Sequence, residues 1–260
     1  MKKSGIMLMV MLWSTMVMAA EKEFKAALKN SPENQLVLNL DQSDLMIEGY
    51  NGNEVLIKVE GDFKEIPERA QGLTPLSRSQ DNTGVGLSMK QEGNTLYLQK
   101  AIQGRIKITM KVPMEVAVKV QEKNYMDKTT YTLKGLQGDL EINAKAASLK
   151  LEEISGPVVA KTVSGDIYCA FRDMKDKANL LHCTTGSLEV LMPEQSAVNL
   201  KIRSFNGEVY TDFQIDTEVK EAGVSAFFNL YNFRGTINGG GATLDLQSME
   251  SDIYLRKVKQ

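Results

Sequence analysis

The strongest constraint on this chain is a phrase that returns at a fixed interval. TVSGDIYCAF, TTGSLEVLM and SFNGEVYTDF carry Gly165, Gly186 and Gly207, each 21 residues after the last. Aligned on that glycine, Ile167, Leu188 and Val209 form one column, Cys169, Val190 and Thr211 a second, and Phe171, Met192 and Phe213 a third. Side chains alternate between the two faces of a strand, so these columns share one face, and it is predominantly apolar. Each such residue contributes on the order of 1.5–3 kcal/mol when fully buried, enough over several repeats to drive folding. Turn signals around Asp176 and Gln195 divide each unit into at least two short strands. A unit this small cannot bury its own apolar face, so successive units must stack, equivalent aliphatics lying over one another as interior ladders. Glycine at the corner tolerates a left-handed or tightly turned backbone. Weaker copies extend the pattern: Gly138 with Leu140 and Ile142, Gly156, Gly235 with Ile237, and the final ESDIYLRK with Ser251 in the glycine column.

The start of the chain has a different texture. MKKSGIMLMVMLWSTMVMAA sets two lysines before an apolar run from Ile6 to Val17 and small residues at Ala19 and Ala20, the layout of a secretory signal peptide over residues 1–20. That run is too short to cross a bilayer, and no later segment is apolar enough to do so. FKAALKN, just after it, is the best helix candidate in a chain with no convincing long helix. NQLVLNLDQSDLMIEGYNGNEVLIKVEG holds two alternating patterns around Asn51-Gly52, a hairpin or corner signal. Residues 62–82, with Pro67 and Pro75, read as a long surface loop. NTLYLQK and GRIKITMKVP alternate strongly, with Ile106, Ile108, Met110 and Val112 on one face; Pro113 ends that ladder and VAVKVQ begins another strand.

The formal net charge is -2, with no block of basic residues, which makes nucleic acid a poor partner. The lone His182 precedes Cys183, but neighbouring strand residues face opposite ways and no fourth ligand stands at the usual spacing, so no metal is expected. In the 21-residue register Cys169 stacks with Val190, and Cys183 with Thr162 and Ser204. Two unbridged, largely buried thiols follow, since Cα atoms more than about 7 Å apart cannot be joined.

The phrases IEGYNGNEVLIKVEG, RIKITMKVP, GDLEI, SGPVVAKTVSGDI, TTGSLEVLMP, FNGEVYTDF, INGGG and SDIYLRK occur in that order from about Leu36 to Lys257. Together they resemble the exported bacterial β-strand-repeat family of unknown function labelled "putative adhesin". The resemblance implies an envelope or secreted protein built as a parallel β-helix-like solenoid, with no established enzymatic activity or catalytic residues. Thr185-Gly186 and Ser251-Asp252 replace its more usual Asn-Gly or Ser-Gly corner phrases.

One residue after the aliphatic column lies an outward one: Tyr168, Glu189, Tyr210 and Tyr254. Tyrosine combines apolar area with a polar tip, so such a line can stack on sugar rings or grip a protein. INGGG lacks the following Lys and helix of a phosphate loop and reads as a bent corner. Asp139, Asp166 and Glu208 lack calcium-loop spacing and read as solvated corners or turn caps. The sequence thus predicts an all-β protein: a signal peptide over 1–20, a β-rich N-terminal region with a long loop over 21–130 that continues the core, and a parallel β-helix-like solenoid over 131–260. The function expected is a noncatalytic exported binding or scaffolding protein of the bacterial cell envelope, in the periplasm, at the cell surface or secreted. Its partner would be an envelope glycan or protein surface, met by Tyr168, Tyr210 and Tyr254, with no cofactor, metal or nucleic acid and no transmembrane anchor once the leader is removed. The alternative is a polysaccharide-active enzyme using surface carboxylates on the solenoid.

Overall fold

The computed structural model describes residues 20–258 except 30, 62, 64–67, 71, 74, 75, 77, 78, 124, 126, 127, 176, 226 and 227, with backbone alone at 20 and over 217–231. The expected signal peptide therefore lies outside the described residues, apart from the backbone of residue 20. Regular structure is almost wholly strand. The N-terminal strands are β1 (Ala20–Ala27), β2 (Gln35–Asn39), β3 (Ser43–Tyr50), β4 (Glu54–Gly61), β5 (Leu87–Glu92), β6 (Thr95–Lys100), β7 (Ile106–Pro113) and β8 (Ala117–Gln121). The middle of the chain forms β9 (Thr129–Lys134), β10 (Leu140–Asn143), β11 (Ala147–Ile154), β12 (Val158–Ser164), β13 (Ile167–Phe171), β14 (Asn179–Thr185) and β15 (Leu188–Met192). The rest forms β16 (Val198–Phe205), β17 (Val209–Thr211), β18 (Asp216–Ser225), β19 (Phe228–Ile237), β20 (Ala242–Ser248) and β21 (Ile253–Lys257).

These strands build two long, mostly parallel sheets. One has ten strands in the order β1-β4-β7-β3-β9-β11-β13-β15-β21-β17, the other eleven in the order β18-β19-β16-β20-β14-β12-β10-β8-β2-β6-β5. From β8 to β15 the chain alternates between them, so that each coil places one strand in each sheet. Ile167 meets Leu188 across β13 and β15, the interval read from the sequence, whereas Leu149 meets Ile167 one coil earlier at an interval of 18 residues. The inward face is apolar in nearly every strand, and one buried cluster runs without a break from Ala26 to Leu255. Parallel stacking already includes β2 on β8 and β3 on β7, before residue 131.

Coil order departs from chain order at both ends. At the C-terminal end the last coil, β20–β21, is inserted between β14–β15 and β16–β17: Leu188 pairs with Ile253, and Ile253 with Val209. The expected direct stacking of Val209 on Leu188, and of Ser204 on Cys183, is therefore corrected; Cys183 lies between Thr162 and Ser248. The physical reason is in the inward residues. A coil between two others must be apolar at every inward position, which Leu244, Leu246, Ile253 and Leu255 satisfy, all fully buried. The coil bearing half-buried Val209 and exposed Thr211 is tolerated at the end. At the other end β6–β7 lies outside β2–β3. Antiparallel strands then close most of the edges: β4 and β1 beyond β7, β5 beyond β6, and β19 and β18 beyond β16.

Other local expectations change accordingly. FKAALKN is mostly edge strand β1, not helix, because pairing along β4 turns Ala26 into the core and leaves Glu23 and Lys25 outside. Asn51-Gly52 reverses the chain between β3 and β4, but β7 lies between those strands, so no hairpin forms. Gly235 and Ile237 belong to antiparallel β19 and are not a further coil. Gly138 and Gly156 sit at the corner opposite to Gly165, Gly186 and Gly207, so Leu140 and Ile142 face inward from the other sheet. Close approach accounts for these glycines better than dihedral freedom does. A Cβ on Gly156 would lie 2.0 Å from the Gly138 carbonyl oxygen, and one on Gly207 2.2 Å from that of Ser251. Of the five, only Gly186 has a positive φ, 128°.

Small polar side chains finish the corner inside. Thr162, Cys183, Ser248 and Ser204 stack in one interior column, and each donates to a backbone carbonyl, of Ala147, Gly165 or Gly186, Ser251 and Gly207 respectively. The Cys183 thiol thus takes the place that a hydroxyl holds in its neighbours. The same corner two coils earlier is closed by buried Glu122, whose carboxylate accepts the Thr129 hydroxyl and the backbone N–H groups of Lys145, Ala146 and Ala147.

Candidate functional site

The outer face of the ten-stranded sheet changes character along its length. Over β4, β7, β3, β9 and β11 it carries alternating charges that pair side by side, among them Lys107 with Glu60, Arg105 with Asp44 and Lys134 with Glu153. Such exposed pairs contribute little to stability and keep this half solvated. Beyond β11 the charges thin out, and one outward row reads Tyr168, Glu189, Tyr254, Tyr210 on β13, β15, β21 and β17.

Insertion of β21 next to β17 brings Tyr254 and Tyr210 into contact. Their rings stack with centroids 5.4 Å apart and 12° between planes. Tyr210, on the edge strand, is 52% exposed. Tyr168 lies on the same face but is separated from the pair by Glu189. The second outward row holds Ala170, Leu191 and Arg256. Arg256 reaches back to Glu189, 3.1 Å away, and holds its guanidinium 5.5 Å from the centre of the Tyr254 ring. The result is a short aromatic platform flanked by one cation and one carboxylate. Ala170 also borders a shallow depression of about 450 Å³, shared with Arg172, Glu194 and Val258.

The phenols of Tyr254 and Tyr168 are held in their neutral form. The hydroxyl of Tyr254 donates to Asp252 at 3.1 Å, and that bond to a carboxylate raises its pKa. Burial raises that of Tyr168, helped by Glu152 and Glu189. At neutral pH Tyr254 and Tyr168 therefore present uncharged rings, suited to stacking on a pyranose or an apolar side chain. Arg256 and Asp252 escaped the sequence reading. A signal existed, since ESDIYLRK places both within two residues of Tyr254, but only the inserted coil sets Arg256 against Glu189.

The remaining motifs are structural. Cys169 and Cys183 are unbridged and buried, one facing inward from each sheet, while His182 points outward from β14. No group of three or more His, Cys, Asp or Glu suited to a metal is present among the described residues. INGGG turns the chain from β19 to β20, with Asn238, Gly239 and Gly240 all at positive φ. Asp166 accepts from the backbone and hydroxyl of Ser187 on the next coil, and Asp252 from the backbone of Glu208, so acids near the glycines cap corners from one coil to the next. Among the described residues no helix is long and apolar enough to cross a membrane.

No protein-family profile and no curated protein sequence matches the chain. Solved structures do. It is similar to a putative cell adhesion protein from Clostridium sporogenes, at 12% identity over 92% of this chain and 100% of that one, with a TM-score of 0.45. It is similar to a putative adhesin from Bacteroides fragilis, at 9% identity over 92% and 97%, TM-score 0.44. A putative adhesin from Parabacteroides merdae matches over 92% and 96%, at 10% identity and a TM-score of 0.27.

Proposed function

We propose that this chain is a noncatalytic, exported binding protein of the bacterial cell envelope, a parallel β-solenoid whose long faces meet an envelope glycan or a protein surface. The observation that carries this reading is the stacked Tyr210–Tyr254 pair, exposed at Tyr210, with the Arg256–Glu189 ion pair beside it. Aromatic faces next to a fixed donor and acceptor form a recurrent arrangement at sugar and protein contacts. The site is a flat surface rather than a cleft, which suits a polymer or another surface more than a small substrate.

Purified protein would be tested for binding to isolated envelope material, with Tyr168→Ser, Tyr210→Ser and Tyr254→Ser combined. Binding should fall at least tenfold, since each aromatic anchor is worth about 1 kcal/mol or more. The melting temperature should change little, because Tyr210 and Tyr254 are off the core. The Tyr168→Ser change alone should have the smallest effect. Wild-type binding by the triple variant would remove the aromatic platform from the mechanism.

A further inference from the structure

The outer face of the eleven-stranded sheet carries a second row, assembled from segments far apart in the chain. On β6, β2, β8 and β10, four carboxamides lie side by side in parallel register: Gln99, Asn39, Gln121 and Asn143. The row continues on β12, β14, β20 and β16 through Lys161, His182, Gln247 and Arg203. Every position bears a planar or cationic hydrogen-bonding group, and none is acidic or aliphatic. With neighbouring strands about 4.8 Å apart, these eight positions span about 34 Å along the stack.

Two features mark this row as more than a solvated face. First, stacked amides on parallel strands ordinarily bond to one another, yet no hydrogen bond joins neighbours in this row among the described residues. The Asn143 and Gln247 amides instead donate to Glu141 and Asp245 within their own strands, and the side chains of Gln99, Asn39, Gln121 and His182 make no hydrogen bond there. Their donors and acceptors face outward. Second, the acids of the adjacent row are already matched, Glu141 to Lys119 and Asp245 to Arg203, whereas Lys161, Lys201 and Arg234 have no ion-pair partner among the described residues. Lys201 and Arg234 stand directly opposite each other across β16 and β19, a like-charge pairing that destabilises a sheet by itself. A surplus of positive charge is thus kept beside a line of free hydrogen-bonding groups.

We propose that this row binds a linear acidic polysaccharide laid along the stack axis, its uronate carboxylates meeting Lys161, Lys201 and Arg234 and its hydroxyls meeting the carboxamides. The strand repeat is comparable with the advance of one pyranose unit in an extended chain, so successive sugars meet successive strands. Planar amides match the paired donor and acceptor pattern of vicinal hydroxyls. This site is independent of the tyrosine platform, which lies on the other sheet.

The experiment measures binding of the purified protein to polygalacturonate oligomers of increasing length, with neutral dextran oligomers as control. Affinity should rise with length until the oligomer spans the row, fall with added salt, and be absent for dextran. Replacing Asn39→Asp and Gln121→Glu, nearly isosteric and on the solvent face, should cost at least tenfold at an unchanged melting temperature, through lost donors and added repulsion. Lys161→Ala with Lys201→Ala should flatten the salt dependence, as removal of charged contacts does. The Tyr210→Ser, Tyr254→Ser variant should bind as the wild type does. The proposal is overturned if the wild type does not bind polygalacturonate at low salt, or if affinity is independent of oligomer length. It is equally overturned if the Asn39/Gln121 variant binds normally, or if the tyrosine variant is the one that loses binding.

Discussion

Insertion of the last coil can be tested by asking which residues Leu188 feels. Leu188 and Ile253 are fully buried partners on adjacent strands, while half-buried Val209 lies one strand further out. Truncating Leu188 or Ile253 to alanine should each cost about 2–5 kcal/mol, the transfer term plus the cavity left behind. Val209→Ala should cost less than about 1.5 kcal/mol, because its methyl groups are only partly removed from water. The coupling is more informative than the single values. In a double-mutant cycle Leu188 and Ile253 touch and should deviate from additivity by about 0.5–3 kcal/mol, whereas Leu188 and Val209, roughly 10 Å apart across β21, should add to within about 0.5 kcal/mol. Urea unfolding followed by circular dichroism gives the midpoints, with an unchanged m-value required so that each variant unfolds from the same folded state. Strong coupling between Leu188 and Val209, with none between Leu188 and Ile253, would refute the inserted coil and restore direct 21-residue stacking.

Four further outcomes follow from the corners and the interior. Glu122→Ala should lower stability by about 3 kcal/mol or more in the same assay, because the backbone N–H groups of Lys145, Ala146 and Ala147 lose their shared acceptor; Glu122→Gln should cost less. Cys183→Ser should be nearly neutral, since a hydroxyl can make the same corner bond, whereas Cys169→Ser buries a hydroxyl among aliphatics at about 1–3 kcal/mol. Burial pushes the Cys183 thiol up to about 12, and that of Cys169 higher still, so the reactive thiolate is scarce below that range. Alkylation at pH 8 should therefore mark neither cysteine until urea unfolds the chain. Gly156→Ala should be strongly destabilising, its Cβ meeting the Gly138 carbonyl of the preceding coil, while Gly93→Asn, at φ 59° with open space around it, should be tolerated in thermal melts.

The two candidate surfaces differ in how far they could be read in advance. The parity that puts Tyr168, Tyr210 and Tyr254 on one outer face follows from alternation within each strand, so the sequence was sufficient for it. The contact between Tyr210 and Tyr254 was not legible, because it depends on β21 entering beside β17. The carboxamide row left only a partial trace in the sequence. Gln99, Gln121 and Asn143 follow one another at intervals of 22 residues, but Gln99 and Gln121 are not neighbours: Asn39 stands between them, because β2 lies between β6 and β8 in an order different from that of the chain.

Alternation is a local property of the extended backbone, and burial of apolar area rewards it wherever it occurs. The sequence alone therefore determined that the chain is built mainly of strands, which residues of its strands face the core, and that small units must stack to cover one another. It could not determine the order of stacking. The coils offer each other nearly the same apolar surface, so Val209 and Ile253 are equally good local matches for Leu188. Tertiary structure decided between them through a sum over the whole coil: a coil between two others must fill both of its exposed edges with apolar contacts. Leu244, Leu246, Ile253 and Leu255 meet that demand, and Thr211 does not.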